Sequence, residues 1–277
     1  VSGGMVLAAQ SLEVDGSSAS GIESAQRKAL KEGEPMLQLH IEKTCCEGIP
    51  VRIVHPIRDE GKALLLYHGW SSRGEYQTTK AAVFALHGYT VFVPDAIHHG
   101  ERDALSDYYR LEDYSIFWET IRQNVREYEA LHDFVREKGY GTPTIAGHSM
   151  GGMSVLGIAA RYPHLVRSVI SFNGSGDWIL SHLFMQARFG ISLGRNWPLY
   201  DALEKEQPLS HIEEIRSIPL FMTNGESDIS VDPRAQAHFF EALEAAGGDV
   251  TRITYPRLGH FVTTNMLDDA LKWLGDK

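Results

Sequence analysis

The sequence predicts an α/β fold: a mostly parallel central sheet with helices on both faces. Three observations carry that expectation. Six short, continuous apolar runs suit strands covered on both sides. Segments of helical period separate them. The alternation of strand and helix is regular along most of the 277 residues, the pattern of a sheet built from crossover units.

In chain order, residues 1–36 read as an N-terminal arm, a Ser/Gly-rich DGSSASG followed by ESAQRKALKEGEP, a short-helix candidate. Residues 37–277 read as one domain. MLQLHIEKT and IPVRIVHP alternate apolar and polar side chains, which predicts an antiparallel pair at one edge of the sheet. After the turn RDEGK come the apolar runs ALLLYHG, YTVFVPD, TPTIAGHS, VRSVISFNG, IPLFMTNG and VTRITYP. Between them the periodicity predicts helices over Glu75 to His87, Tyr114 to Lys138, Gly152 to Tyr162, Pro233 to Ala246 and Thr263 to Leu274. One interval breaks the rhythm. Between the runs ending near Phe172 and starting near Ile218 lies DWILSHLFMQARFGISLGRNWPLY, too apolar for a free loop. A small helical lid is expected there, an insertion at about 174–210. The plainer alternative is an ordinary extra helix with a core face.

Composition narrows the function classes. With 43% hydrophobic and 22% charged residues, the chain has enough apolar surface for a large core. A formal net charge of -10 without a basic stripe argues against binding nucleic acid or an anionic membrane, because phosphates must be met by an excess of Lys and Arg. The only cysteines, Cys45 and Cys46, are adjacent, so they build no disulfide framework and read as strand residues in a reducing compartment. No run of about 18 apolar residues predicts a membrane span. The first residues lack the basic and apolar regions of a signal peptide, and the default expectation is a cytoplasmic protein. The sequence leaves a homo-oligomer open.

Two pentapeptides match Gly-x-Ser-x-Gly: GHSMG at Gly147 to Gly151 and GISLG at Gly190 to Gly194. The pattern places a nucleophilic serine on a strained strand-to-helix turn, where glycines remove side chains that would collide. Thr144, Ile145 and Ala146 end a strand before Ser149, and a helix-period segment stopped by Pro163 follows it. Ser192 instead follows a segment of helical period, and Arg195, Asn196, Trp197 and Pro198 cannot continue a helix beyond it. Ser149 is the expected nucleophile.

A serine hydroxyl needs a base, and the base a carboxylate to orient it. IPLFMTNG runs into Glu226, Ser227 and Asp228, and VTRITYP runs into Arg257, Leu258, Gly259 and His260. Among 13 histidines only His260 stands between the last strand and the last helix. Asp177, beyond the strand near Phe172, is a rival for the acid role. Glu226, Asp201 and Asp232 read as surface or capping residues, Asp232 before Pro233 as a helix N-cap. His148 reads as a packing or hydrogen-bonding residue of the elbow, and Asp95 with Arg102 as a structural pair. His98 and His99 are adjacent and have no third ligand at a helpful spacing, so no metal site is expected. There is no G-x-G-x-x-G and no Walker pattern, and the chemistry needs no cofactor.

The order Ser149, Asp228, His260 resembles that of α/β-hydrolases. The resemblance covers roughly residues 37–275 and is nearest to small bacterial esterases related to dienelactone hydrolase and to the prolyl oligopeptidase catalytic domain. It is carried by YHGW at Tyr67 to Trp70, DAIHHGER at Asp95 to Arg102, GHSMGG at Gly147 to Gly152, NGESD at Asn224 to Asp228 and LGHF at Leu258 to Phe261. It implies an oxyanion hole made by the backbone amides of Trp70 and Met150, with His68 and Gly69 in the turn before it, and a HHGER loop that shapes the pocket mouth. Trp70, by its size, and Trp178 and Phe184, from the lid, are the expected walls of a substrate pocket.

The expected activity is that of a serine carboxylic ester hydrolase on short-chain or aromatic small-molecule esters, working through an acyl-enzyme. A serine peptidase on short peptides, a thioesterase or a lactonase would use the same residues. Such peptidases carry a large N-terminal β-propeller, for which 277 residues leave no room. A ligand receptor on a hydrolase fold is the alternative outside enzymes; turnover separates it from the others.

Overall fold

The computed structural model describes residues 39–277. The arm expected at residues 1–36, and the start of the first expected strand, lie outside them. Eight strands, β1 (His40–Cys46), β2 (Ile49–His55), β3 (Lys62–Tyr67), β4 (Tyr89–Pro94), β5 (Thr144–His148), β6 (Ser168–Phe172), β7 (Leu220–Gly225) and β8 (Val250–Tyr255), form one sheet. Their order is β1-β2-β4-β3-β5-β6-β7-β8. β2 pairs antiparallel with β1 and β4, and every later pairing is parallel. This is the sheet of an α/β-hydrolase. Glu47 and Gly48 join β1 to β2 with φ of 46° and 84°, the two successive left-handed residues that a tight hairpin needs.

Nine α-helices follow among the described residues: α1 (Thr78–Ala85), α2 (Tyr114–Arg126), α3 (Tyr128–Glu137), α4 (Met150–Arg161), α5 (Trp178–Phe189), α6 (Tyr200–Glu206), α7 (Ile212–Ile215), α8 (Pro233–Ala245) and α9 (Thr264–Gly275). They bury two cores. Trp118, Ile121, Val155, Ile158, Trp178 and Phe239 pack on one face of the sheet. Ala81, Phe84, Met266 and Ala270, from α1 and α9, pack on the other.

The single helix expected over Tyr114 to Lys138 is two, α2 and α3, meeting at Glu127. Backbone bonds from Glu127 N–H to Gln123 O and from Leu131 N–H to Glu127 O carry across the junction, so the helical period runs on without a stop signal. Arg102 explains what Glu127 does there: its guanidinium forks onto the carboxylate at 2.6 and 2.8 Å. The expected Asp95–Arg102 carboxylate pair does not form. Arg102 reaches only the Asp95 backbone carbonyl, at 3.1 Å. The Asp95 carboxylate instead accepts the Gly74 and Glu101 amides at 2.6 and 3.2 Å and faces Arg52 at 3.5 Å. Both residues thus tie down the loop after β4, through different partners.

Candidate active site

β5 delivers Ser149 and α4 leaves it, as the strand-to-helix reading requires. Ser149 has φ 58° and ψ −118°, a conformation that a non-glycine residue holds only when its surroundings impose it. They do so through backbone contact: a Cβ at Gly147 would collide with the Gly151 backbone, and one at Gly151 with the Tyr67 carbonyl. The Ser149 amide donates to Phe172 O at 2.9 Å, which locks the elbow to β6. Met150 opens α4, so its N–H has no intrahelical acceptor. The second pentapeptide has no such setting. Gly190 is the left-handed C-cap of α5, and Ser192 lies exposed in the irregular stretch that follows.

The loops after β7 and β8 bring Asp228 and His260 to this serine. Ser149 Oγ–H faces His260 Nε2 at 2.7 Å, and His260 Nδ1–H donates to Asp228 Oδ2 at 2.7 Å. The Asp228 side chain is fully buried. Burial pushes its pKa up, but the hydrogen bond and charge of His260, the Asn173 amide at 3.0 Å and the Ser230 N–H outweigh that and hold it below the usual carboxylate value. Asp177, the rival acid, makes no hydrogen bond to His260. It caps α5 by accepting the Leu180 amide at 2.8 Å and accepts from His238 Nδ1–H at 2.7 Å.

Two further histidines brace the elbow. Ala96 N–H donates to His68 Nε2 at 3.0 Å, so the His68 proton sits on Nδ1 and goes to Gly69 O at 2.9 Å. That fixes the turn at His68 and Gly69 against the loop after β4. His148 packs its ring 4.9 Å from that of His260, and burial, then the neighbouring His260 charge, lowers its pKa to about 3. His99 packs against His68, Trp70 and Tyr108. Among the described residues no three His, Cys, Asp or Glu side chains converge to hold a metal ion.

A cavity of about 260 Å³ opens over Ser149 and His260. Trp70 is in its wall, with its indole N–H donated to Tyr108 O at 2.8 Å and its ring edge-on to Phe117. Trp178 and Phe184 are not. Trp178 is fully buried against Trp118, over a space that Gly157 leaves by having no side chain. Phe184 turns outward beneath the Arg234 guanidinium, 4.2 Å from its ring centroid. From α5 the lining takes Met185 and Phe189, near its end. Also in the lining, and absent from the sequence reading, is the stretch Tyr108, Leu111, Tyr114 and Phe117. The spacing of Tyr114 and Phe117, one helical turn apart, was the available signal, but it looks the same for a core face. Asn173 was also missed; only its place at the end of β6 hints at a link to the site. A second cavity, of about 330 Å³, lies at the amino ends of β3 and β5, at the far end of the sheet from Ser149.

Among the described residues no helix is long and apolar enough to cross a membrane. The model of the prolyl oligopeptidase family matches residues 75–274. Esterase YjfP of Escherichia coli (strain K12) is 28% identical over 245 residues, covering 84% of this chain and 97% of its own. TT1662 from Thermus thermophilus shares the fold with a TM-score of 0.67 and 24% identity, over 87% of this chain and 98% of its own. An acylaminoacyl peptidase of Pyrococcus horikoshii does so with a TM-score of 0.63 and 16% identity, over 84% of this chain and 39% of its own.

Proposed function

Because the chain belongs to the prolyl oligopeptidase family, a family of hydrolases, we propose that it is a serine carboxylic ester hydrolase that acts on short-chain or aromatic esters through an acyl-enzyme. The observation that carries this reading is the line of two 2.7 Å hydrogen bonds from Ser149 through His260 to Asp228, opening into a cavity with aromatic walls.

In this reading His260 Nε2 takes the Ser149 proton as Oγ attacks the ester carbonyl carbon. The carbonyl electrons move to oxygen, and the Trp70 and Met150 amides stabilise the charge without reorganising; removing one such donor typically costs about 10²–10³ in turnover. His260 then gives its proton to the leaving alcohol oxygen, the C–O bond breaks and the acyl group stays on Ser149. A water loses its proton to His260, attacks the acyl carbon, and the Ser149 oxygen leaves with that proton. Asp228, acceptor-only while ionised, keeps the His260 proton on Nδ1 and faces the imidazolium formed in each half-reaction.

The Escherichia coli relative bears the name esterase, which supports the ester reading. The family description favours a second one, a peptidase acting on short peptides. Nitrophenyl esters of rising acyl length, run beside aminoacyl anilides, separate the two. The ester reading expects turnover that is greatest for short or aromatic acyl groups and anilide cleavage at least about a hundredfold slower, about 2.7 kcal/mol in barrier. Faster cleavage of the anilides would overturn it.

A further inference from the structure

Tyr114 lines the cavity together with Ser149, and a chain of hydrogen bonds behind it determines the role of its hydroxyl. The chain starts in the second pentapeptide. The Leu193 backbone N–H donates to Gln186 Oε1 at 2.6 Å, so this amide cannot be turned round, and its NH2 is the group that faces His182. That NH2 donates to His182 Nε2 at 2.6 Å and makes this nitrogen the acceptor. A neutral imidazole with Nε2 as acceptor carries its proton on Nδ1, and Nδ1 lies 2.8 Å from the Tyr114 oxygen. The tyrosine oxygen is therefore the acceptor in that bond. Its own hydrogen is left for another partner.

The parts that fix this direction are themselves held. His182 is fully buried and stacked on Trp197 at a centroid distance of 4.7 Å, and burial lowers its pKa to about 4, so it stays neutral. Burial also pushes the Tyr114 hydroxyl well above the usual tyrosine range, so it stays a donor.

The sheet order says which part of an ester would meet it. Asp228 and His260 follow β7 and β8, at one side of Ser149; Trp70 follows β3, on the other side, and packs edge-on against Phe117 of α2 at 5.6 Å. The leaving oxygen must face His260 Nε2, which protonates it. The acyl chain then extends the opposite way, towards Phe117 and Tyr114, one helical turn apart in the cavity wall.

We propose that Tyr114 is a specificity residue of the acyl site, donating its hydroxyl hydrogen to an oxygen carried by the acyl chain. The preferred substrates are then esters of alkoxy- or oxo-carboxylic acids rather than of plain alkanoic acids. This rests on the ester-hydrolase reading. A plain alkyl chain in the same place excludes water and leaves a buried donor without a partner, which is the kind of mismatch that separates substrates strongly.

The test uses nitrophenyl esters in matched pairs: butanoic with methoxyacetic, pentanoic with methoxypropanoic, hexanoic with methoxybutanoic, the ether oxygen replacing one methylene. Each kcat/KM is divided by the rate with hydroxide alone. The wild-type protein is expected to favour the ether in at least one pair by about tenfold, the size of one well-made neutral hydrogen bond. Tyr114→Phe should bring that ratio close to one. Gln186→Leu should lower it too with Tyr114 in place, because His182 is then free to switch tautomer and draw the tyrosine hydrogen away from the cavity. If Tyr114→Phe fails to fold, Gln186→Leu carries the test. Equal handling of both members of every pair, or a preference that survives these substitutions, overturns the proposal alone. A wild-type protein inert towards every ester overturns the ester-hydrolase reading and this proposal with it.

Discussion

Asp228 grips His260 with one oxygen, at 2.7 Å from Nδ1, while its other oxygen accepts the Ser230 and Val231 amides at 2.9 and 3.1 Å. An asparagine at this position would turn an NH2 group towards donors and would select the wrong histidine tautomer. Asp228→Asn should therefore lower kcat by about 10²–10⁴. Asp177→Asn touches only the cap of α5 and the His238 contact. Asparagine caps a helix about as well as aspartate, so the change should cost less than about 1 kcal/mol of stability and leave kcat within a few-fold. Measured kcat and melting curves for both variants decide; a larger kcat loss at Asp177 would reverse the assignment.

The two pentapeptides differ in what their glycines touch. A Cβ at Gly147 would strike the Gly151 backbone, whereas one at Gly194 meets nothing within 4 Å. Gly147→Ala should lower stability by about 1–3 kcal/mol or more and cut turnover with it, because the elbow must shift to make room. Gly194→Ala should leave both close to wild type. Denaturant unfolding of the two variants checks this, and equal stability would contradict the strained elbow.

Met185 and Phe189 line the cavity, while Trp178, at the start of the same helix, lies in the core. Phe189→Ala and Met185→Ala should shift the preferred acyl length, with acetyl esters least affected. Trp178→Ala should cost about 3–5 kcal/mol of stability and keep the acyl-length profile of any protein that remains folded. The reverse pattern would put the pocket face of α5 at its other end.

Four histidines, three of them buried and His148 half-buried, are held neutral. Burial, the leading cause in each, lowers His148 to about 3, His99 and His182 to about 4, and His68 below its ordinary value. In the unfolded chain each takes up its proton near about pH 6.5. Below that pH the unfolded chain binds protons that the folded one does not, so stability falls as pH falls and is fully present above it. The slope well below this point approaches about 1.4 kcal/mol per pH unit for each histidine, until the folded values are reached. Urea midpoints taken from pH 7 down to about 5 should fall steadily, and His182→Asn should make the fall shallower. A flat midpoint over this window would contradict the neutral rings.

The strands and the elbow were legible because the residues that build them are neighbours in sequence. Apolar runs mark the buried strands, and the change from strand to helical period at Ser149 separates GHSMG from GISLG. Asp228 and His260 were legible by position, just beyond the runs that became β7 and β8. The pocket walls were not. Trp178 and Met185 both belong to α5, but its start lies over Gly157 in the core and its end over the cavity. Periodicity tells which face of a helix is inward, not what each turn covers. The Arg102–Glu127 fork and the Asn173 bond to Asp228 join residues far apart in the chain and leave no local trace.

That Ser149 carries the acyl group during turnover is tested most directly by mixing the protein with nitrophenyl acetate, quenching in acid within milliseconds and mapping the acetylated peptide. The expected result is a burst of nitrophenol about equal to the enzyme concentration, an acetyl group on Ser149 in the peptide that contains GHSMG, and none on Ser192. Acetyl on Ser192 instead, or a Ser149→Ala protein that turns over at the wild-type rate, would contradict it.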